Sequence, residues 1–318
     1  MTQRPRNSRW SREPKRDPQG EPLVARISDS DIEIFRILAR YHYLPCDYIA
    51  ALSGRSLPAM QTRLELLCRK PNSFVDRPLQ QRANAAANSR RMVYALDEKG
   101  ATELRTRGAP VPPAKYRRHF THELHACLIA ASFEIAAHSD PRIRIISWRE
   151  LADSSQMPEA TKRLESPQAI PFARDGRVET VVSDWSPFVI ERNLVSRSFV
   201  FVGGIEADCG TEPLESADAD RAAIRNKFAA YLTCLEQDVP RRHFGATTFV
   251  IPFVTTSEAR MRSMIDLLDR LRPGAFARRF LFKHVPSFTS SEPPKPASGH
   301  MLTEPWARSG HEPFSFFE

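Results

Sequence analysis

The stretch Pro45–Leu67, PCDYIAALSGRSLPAMQTRLELL, decides how the front of the chain folds. Pro45 suits the first turn of a short helix, where a missing N–H costs nothing. Tyr48, Ile49 and Leu52 supply that helix's apolar side. Ser53-Gly54-Arg55-Ser56 then reads as a tight turn, with Gly54 giving the backbone freedom the bend requires. A further helix follows, with Leu57, Met60, Leu64 and Leu67 at three- and four-residue spacing on one face. Its other face presents Gln61, Thr62 and Arg63, with Arg55 and Ser56 at the entry.

Upstream, Ser28 or Asp29 can cap a helix whose apolar positions are Ile32, Phe35, Leu38 and Tyr41. Downstream, Ser73–Arg77 and Met92–Leu96 have strand character, and the loop 78–91 between them holds Arg82, Asn84, Asn88, Arg90 and Arg91. That is a hairpin with a basic tip, followed by a helix over Glu98–Arg107. The order predicts a winged helix-turn-helix domain at 27–109. In such a domain the second helix of the pair enters the major groove and the hairpin reaches phosphates or the minor groove. The expected DNA contacts are Arg55, Ser56, Gln61, Thr62 and Arg63 from the helix, and Arg82, Arg90 and Arg91 from the wing.

Charge points the same way. The net charge is +8, but residues 1–118 hold 23 Lys/Arg against 12 Asp/Glu, whereas 119–318 hold 23 against 26. A positive field confined to the front of the chain favours a polyanion such as DNA, RNA or an anionic membrane, and the helix-turn-helix order makes double-stranded DNA the expected partner. Nothing else suggests a membrane partner. No apolar run approaches the roughly 18 residues of a span, and the N-terminal arginines precede no apolar segment. The five cysteines are scattered without a CxxC, which points to free thiols in a reducing, cytoplasmic compartment.

Seven basic residues mixed with prolines predict a disordered basic arm over 1–26. The run Gly108–Pro113 makes a stiff linker, at 110–118, that carries Lys115, Arg117 and Arg118. Beyond it, 119–285 alternates. Helices are expected over His122–Ala137, Ala217–Leu235 and Ser257–Leu271. Strands are expected over Ile143–Trp148, Val178–Asp184, Phe188–Glu191, Ser198–Asp208, Phe249–Val254 and Phe280–Lys283. This is an α/β sandwich with a mixed sheet. The Pro-, Ser- and Gly-rich tail 286–318 reads as irregular.

Asp184 would end one strand, and Glu206 and Asp208, two apart, would share one face of another. Asp184 and Glu206 could then hold Mg²⁺ or Mn²⁺, with Lys227 leaning over from the following helix. In a catalytic reading Asp184, Glu206, Asp208 and Lys227 form the site, and the cation lowers the pKa of an attacking water. In a structural reading Asp208 or Glu212 caps the turn at Gly210-Thr211, and Glu206 pairs with an arginine. His119, His122 and His125 recur every three residues but drift off one helical face, so packing is expected of them rather than zinc. No Gly-rich phosphate loop is present.

The Ser183-Asp184 and Glu206-Ala207-Asp208 pieces resemble the PD-(D/E)XK nuclease core. Asp208 stands where that fold has its lysine, and Lys227 could substitute from the helix. Taken over nearly the whole chain, the sequence resembles the replication-relaxation family of plasmids and integrative elements. The residues that carry this are the winged helix, His122-Glu123-Leu124-His125, the Ile205–Glu212 run IEADCGTE, Lys227 with Tyr231, and the Val254–Arg260 run VTTSEAR. The resemblance implies a DNA-binding protein of a plasmid or other mobile genetic element, acting in replication, relaxation or mobilisation without catalysis, beside a relaxase or replication initiator. Two alternatives stay open: a metal-dependent nicking endonuclease using Asp184, Glu206 and Lys227, and a transcriptional repressor.

Overall fold

The computed structural model describes residues 10–83, 91–111, 120–193, 196–215, 223–285 and 297–317. It forms two compact units, Met1–Leu128 and Ile129–Glu318. The division falls inside the Phe120–Ser139 helix, beyond the Pro-rich segment; of that segment, 112–119 lies outside the described residues.

In the first unit the Asp29–Tyr41 helix opens on a capping box: Ser28 donates its N–H and its hydroxyl to Asp31 Oδ2, each at 2.8 Å. Strand β1 (Leu44–Pro45) leads into the Cys46–Leu52 helix, and the Leu57–Cys68 helix follows the Gly54 turn. Strands β2 (Val75–Asp76) and β3 (Val93–Leu96) pair antiparallel, and β1 adds to β3, giving the order β1-β3-β2. The Glu98–Thr106 helix closes the unit. The expected apolar faces are buried, from Ile32, Phe35 and Leu38 to Met60, Leu64 and Leu67; Leu57, at the helix entry, stays exposed. Gly100 is required because a Cβ there would stand 2.3 Å from the Phe74 carbonyl oxygen.

Two expectations fail here. Residues 10–26 are not a free arm. Lys70 N donates to the Arg12 carbonyl (3.0 Å), Ala25 N to Asn72 Oδ1 (2.7 Å) and Asn72 Nδ2 to the Leu23 carbonyl (3.0 Å). The Asn72 amide, both donor and acceptor, ties the segment down. Arg12 and Lys15 are spent on Asp76 and Glu65. The loop 78–91 is also not wholly irregular. It begins with the helix Leu79–Ala83, whose buried Gln81 donates to the Arg91 carbonyl (2.8 Å) and accepts from Val93 N (3.0 Å). The tip, 84–90, lies outside the described residues.

The second unit is built on a mixed sheet. Its strands are β4 (Ile143–Ile146), β7 (Phe188–Asn193), β8 (Arg197–Val202), β9 (Glu206–Ala207), β10 (Phe249–Thr255), β11 (Phe280–His284), β12 (Trp306–Arg308) and β13 (His311–Phe314). The order is β13-β12-β11-β10-β8-β7-β4, with β9 also against β10. The pairs β8–β10, β9–β10 and β10–β11 are parallel, and the flanking pairs are antiparallel. Every residue of β10 is buried, as expected for a central strand covered on both faces. On one face the Ile224–Glu236 and Glu258–Arg270 helices pack Phe228, Tyr231, Met264 and Leu267 against Ile251, Phe253, Phe280 and Phe282. On the other, Phe133 meets Phe188, Trp306 and Phe316, with ring centroids 5.3, 6.0 and 5.5 Å away.

Three strand expectations need correction. The segment predicted as Val178–Asp184 is β6 (Arg177–Val181), which pairs only with β5 (Ile170–Arg174) in a separate hairpin. The long strand predicted over Ser198–Asp208 is broken into β8 and β9. The tail is not irregular over 297–317: it adds β12 and β13, and Trp306 and Phe316 are fully buried. Buried Lys283 secures it by donating to the carbonyls of His300 (3.0 Å) and Glu304 (2.9 Å) while lying over the Trp306 ring.

Candidate functional site

The break between β8 and β9 positions the acidic residues. Phe201 and Val202 pair with Phe249 and Val250, then Glu206 and Ala207 pair with Phe253 and Val254. From Val202 to Glu206 is four steps, against three from Val250 to Phe253, so one extra residue is accommodated as a bulge. Glycine is forced at both positions of the bulge. A Cβ on Gly203 would stand 1.9 Å from the Phe249 ring, and one on Gly204 (φ +131°) would meet Ser183 Oγ at 2.1 Å. Glu206 consequently shares a face with Phe201 and Phe253, under the Ile224–Glu236 helix.

Asp184 reaches the same place from a short bridge instead of a strand end. Its N–H donates to the Ile205 carbonyl (2.9 Å), and its Oδ2 accepts from Ala207 N (2.9 Å). Lys227 and Tyr231, four apart on one helical face, come down onto this end of the sheet. The Lys227 Nζ lies 3.0 Å from Glu206 Oε2, 3.3 Å from Glu212 Oε2 and 4.0 Å from Asp184 Oδ2. Tyr231 donates its hydroxyl to Glu206 Oε1 at 2.6 Å. Glu206 is only 2% exposed, and burial pushes its carboxyl up to about 7; Lys227 opposes the rise and Asp184 adds to it. Burial works against the Lys227 ammonium too, but Glu206, Asp184 and Glu212 outweigh it and hold the lysine charged. The structure brings the expected Asp184, Glu206 and Lys227 side chains to one place, and Glu212, which the sequence offered only as a turn cap, joins them as a third carboxylate.

Asp208 belongs elsewhere. It accepts from the Thr255 hydroxyl (2.6 Å), from Gly210 N (3.1 Å) and from Arg260, through Nε and through Nη2 at 2.8 Å. The arginine expected on Glu206 is therefore found on Asp208, and the expected cap of the Gly210 turn is present. Asp208 clamps the end of β9 to β10 and to the Glu258–Arg270 helix. It is a structural residue, not a member of the Lys227 cluster. Beside it the Cys209 thiol is pushed up to about 12, first by burial and then by Asp208 and Asp184, which leaves it a poor nucleophile at neutral pH.

These residues do not fit a divalent cation as they stand. Among the described residues no group of three His, Cys, Asp or Glu is arranged to hold a metal. The reason is visible at the cluster: the Lys227 ammonium stands where the carboxylates converge. His122 and His125 enter no such group, and His119 lies outside the described residues.

The first unit offers the second candidate surface. Ser56, Gln61 and Thr62 are exposed as expected, and so is Arg82. Arg55 is half-buried, with Nη1 buried and without a hydrogen-bond partner. Arg91 is exposed but ion-paired with Asp47. Arg63 departs from its expected role: it folds inward, donating from Nε to Asp31 Oδ1 (2.7 Å) and from Nη2 to Asp31 Oδ2 (2.6 Å) and the Arg26 carbonyl (2.8 Å). Its long side chain reaches the fully buried Asp31 on the first helix, which the spacing within its own helix does not reveal. Arg90 lies outside the described residues.

No family model, no curated protein and no solved structure matches the chain. Among the described residues no helix is long and apolar enough to cross a membrane.

Proposed function

We propose that the chain is a DNA-binding protein whose first unit is a winged helix-turn-helix and whose second unit is a non-cleaving α/β scaffold of PD-(D/E)XK type. One observation carries the reading. The Leu57–Cys68 helix presents Ser56, Gln61 and Thr62 to solvent, within the part of the chain that holds all the positive surplus. The exposed Arg82 and Arg91 belong to the segment joining β2 to β3. The scaffold role is supported by the Lys227 cluster, whose carboxylates outnumber its cations and would repel a phosphodiester. Action in replication, relaxation or mobilisation of a mobile element, beside a relaxase or initiator, is the role the family resemblance suggests for such a protein.

An Arg82→Ala/Arg91→Ala variant is expected to bind duplex DNA more weakly. The slope of log affinity against log salt should flatten by up to about 2, at roughly 0.9 per lost phosphate contact. Affinity and slope both unchanged would remove the hairpin from the interface, and absence of wild-type binding at low salt would overturn the reading. A nicking nuclease is the second reading, favoured by the approach of Asp184 and Glu206 to Lys227. Supercoiled plasmid incubated with Mg²⁺ or Mn²⁺ decides it. Nicking that disappears in Asp184→Ala establishes the nuclease, whereas the scaffold reading expects intact plasmid in both metals.

A further inference from the structure

We infer that the Lys227 ammonium is the resident cation of the Asp184–Glu206–Glu212 cluster, so that the second unit takes up no divalent cation there unless Lys227 is removed. The three carboxylates come from three places in the chain: the bridge before β7, strand β9 and the loop after it. All three point an oxygen at Nζ, at 4.0, 3.0 and 3.3 Å. Glu206 gives the cation its strongest reason to be there whenever this carboxylate is ionised. Its Oε1 is satisfied by Tyr231, and its Oε2 is buried facing the ammonium at 3.0 Å, with no other hydrogen-bond partner. A buried carboxylate with no compensating positive charge is strongly disfavoured.

Two cations cannot share this position. Hard divalent ions sit roughly 2.0–2.6 Å from their oxygen ligands, which puts the metal in the volume the ammonium fills and beside its charge. Lysine has a further advantage in being tethered to its helix, whereas a free ion must be captured from dilute solution. With the lysine gone, three carboxylates, one of them left with a buried unpartnered oxygen, would face an open position of the kind oxygen-ligated Mg²⁺ or Mn²⁺ prefers. The role is that of a built-in counter-ion which fixes the end of β9. It stands whether or not the first unit binds DNA.

The test uses Mn²⁺ alone, with no DNA, on the full chain, reading loss of the free-ion electron paramagnetic resonance signal together with the shift in Tm. Wild type should show neither effect. Lys227→Ala, and Lys227→Gln as a second variant, should bind Mn²⁺ at least about tenfold more tightly than wild type, as expected when an adjacent like charge is removed. Adding Glu206→Gln to either variant should abolish the gain. If a variant folds only when Mn²⁺ is present, the inference is equally supported. Wild-type uptake that Glu206→Gln removes would overturn it, and so would a folded Lys227 variant with no more affinity than wild type.

Discussion

Replacing Arg63 by alanine is expected to cost the first unit about 3–5 kcal/mol, the usual penalty for leaving one member of a buried ion pair behind. Asp31 is fully buried, and Arg63 meets both of its oxygens. Without the guanidinium, the Ser28 N–H and hydroxyl remain as its hydrogen-bond donors among the contacts described above. Arg63→Lys should recover only part of the loss, since an ammonium cannot reproduce the two-pronged geometry. Urea denaturation of the three proteins reads this directly. A loss under about 1 kcal/mol, accompanied by loss of DNA binding, would instead restore Arg63 to the groove face.

The same pair makes a pH prediction. Burial pushes the Asp31 carboxyl up, but Arg63 and Ser28 together outweigh it and hold it below the ordinary aspartate value of 3.8. A depressed folded-state pKa means the stabilisation is complete above that value and fades as pH falls through the lowered one. The stability gap between wild type and Arg63→Ala should therefore be full at neutral pH and shrink in acid.

Asp208→Ala is the second large effect, again about 3–5 kcal/mol, this time in the second unit. The carboxylate is 4% exposed as a residue and joins Arg260, Thr255 and the Gly210 backbone at the point where β9 ends. Thr255→Val removes one hydrogen bond and should cost about 1 kcal/mol. The Asp208→Ala/Arg260→Ala pair should be less than additive, with a coupling of roughly 0.5–3 kcal/mol. Additive losses in chemical denaturation would show that the two residues act separately. If the Asp208 clamp is structural, any DNA binding by the first unit should survive in the folded Asp208→Ala protein.

Local signals carried most of the first unit. The cap at Ser28, the Gly54 turn and the 3.6-residue spacing of apolar side chains gave three helices in their observed order. Arg63 was misplaced because its partner lies 32 residues away on another helix. The apolar runs of β10 and β11 and the helix begun by Ser257 were equally legible. The tail was not, because strands of three and four residues carry too little alternation to register, and burial of Trp306 and Phe316 is decided by Phe133, far off in sequence. At the site, Lys227 and Tyr231 are four apart and so share a helical face, but the spacing alone does not say what that face meets. Glu212 and Arg260 were invisible as partners, since only the tertiary fold brings them to Lys227 and Asp208. The paired glycines at 203 and 204 were the available sign that the long strand would break.

That break also has a consequence for how the sheet tolerates change. Side chains alternate with a period of two, so parity decides which layer a residue enters. The surplus residue between Val202 and Glu206 breaks that alternation: counted along the chain Glu206 has the parity of Val202, yet the bulge seats it beside Phe253, on the face of Phe201. Deleting a single amino acid from the bulge would leave three steps against three, so the two short strands could run on as one with Glu206 and Asp208 still in the layer of Lys227 and Arg260. Ironing the bulge flat without a deletion would do the opposite, sending both acids towards Phe133 and Phe188 and away from their counter-charges. The kink, and not the number of residues, keeps the acids and their cations in the same layer.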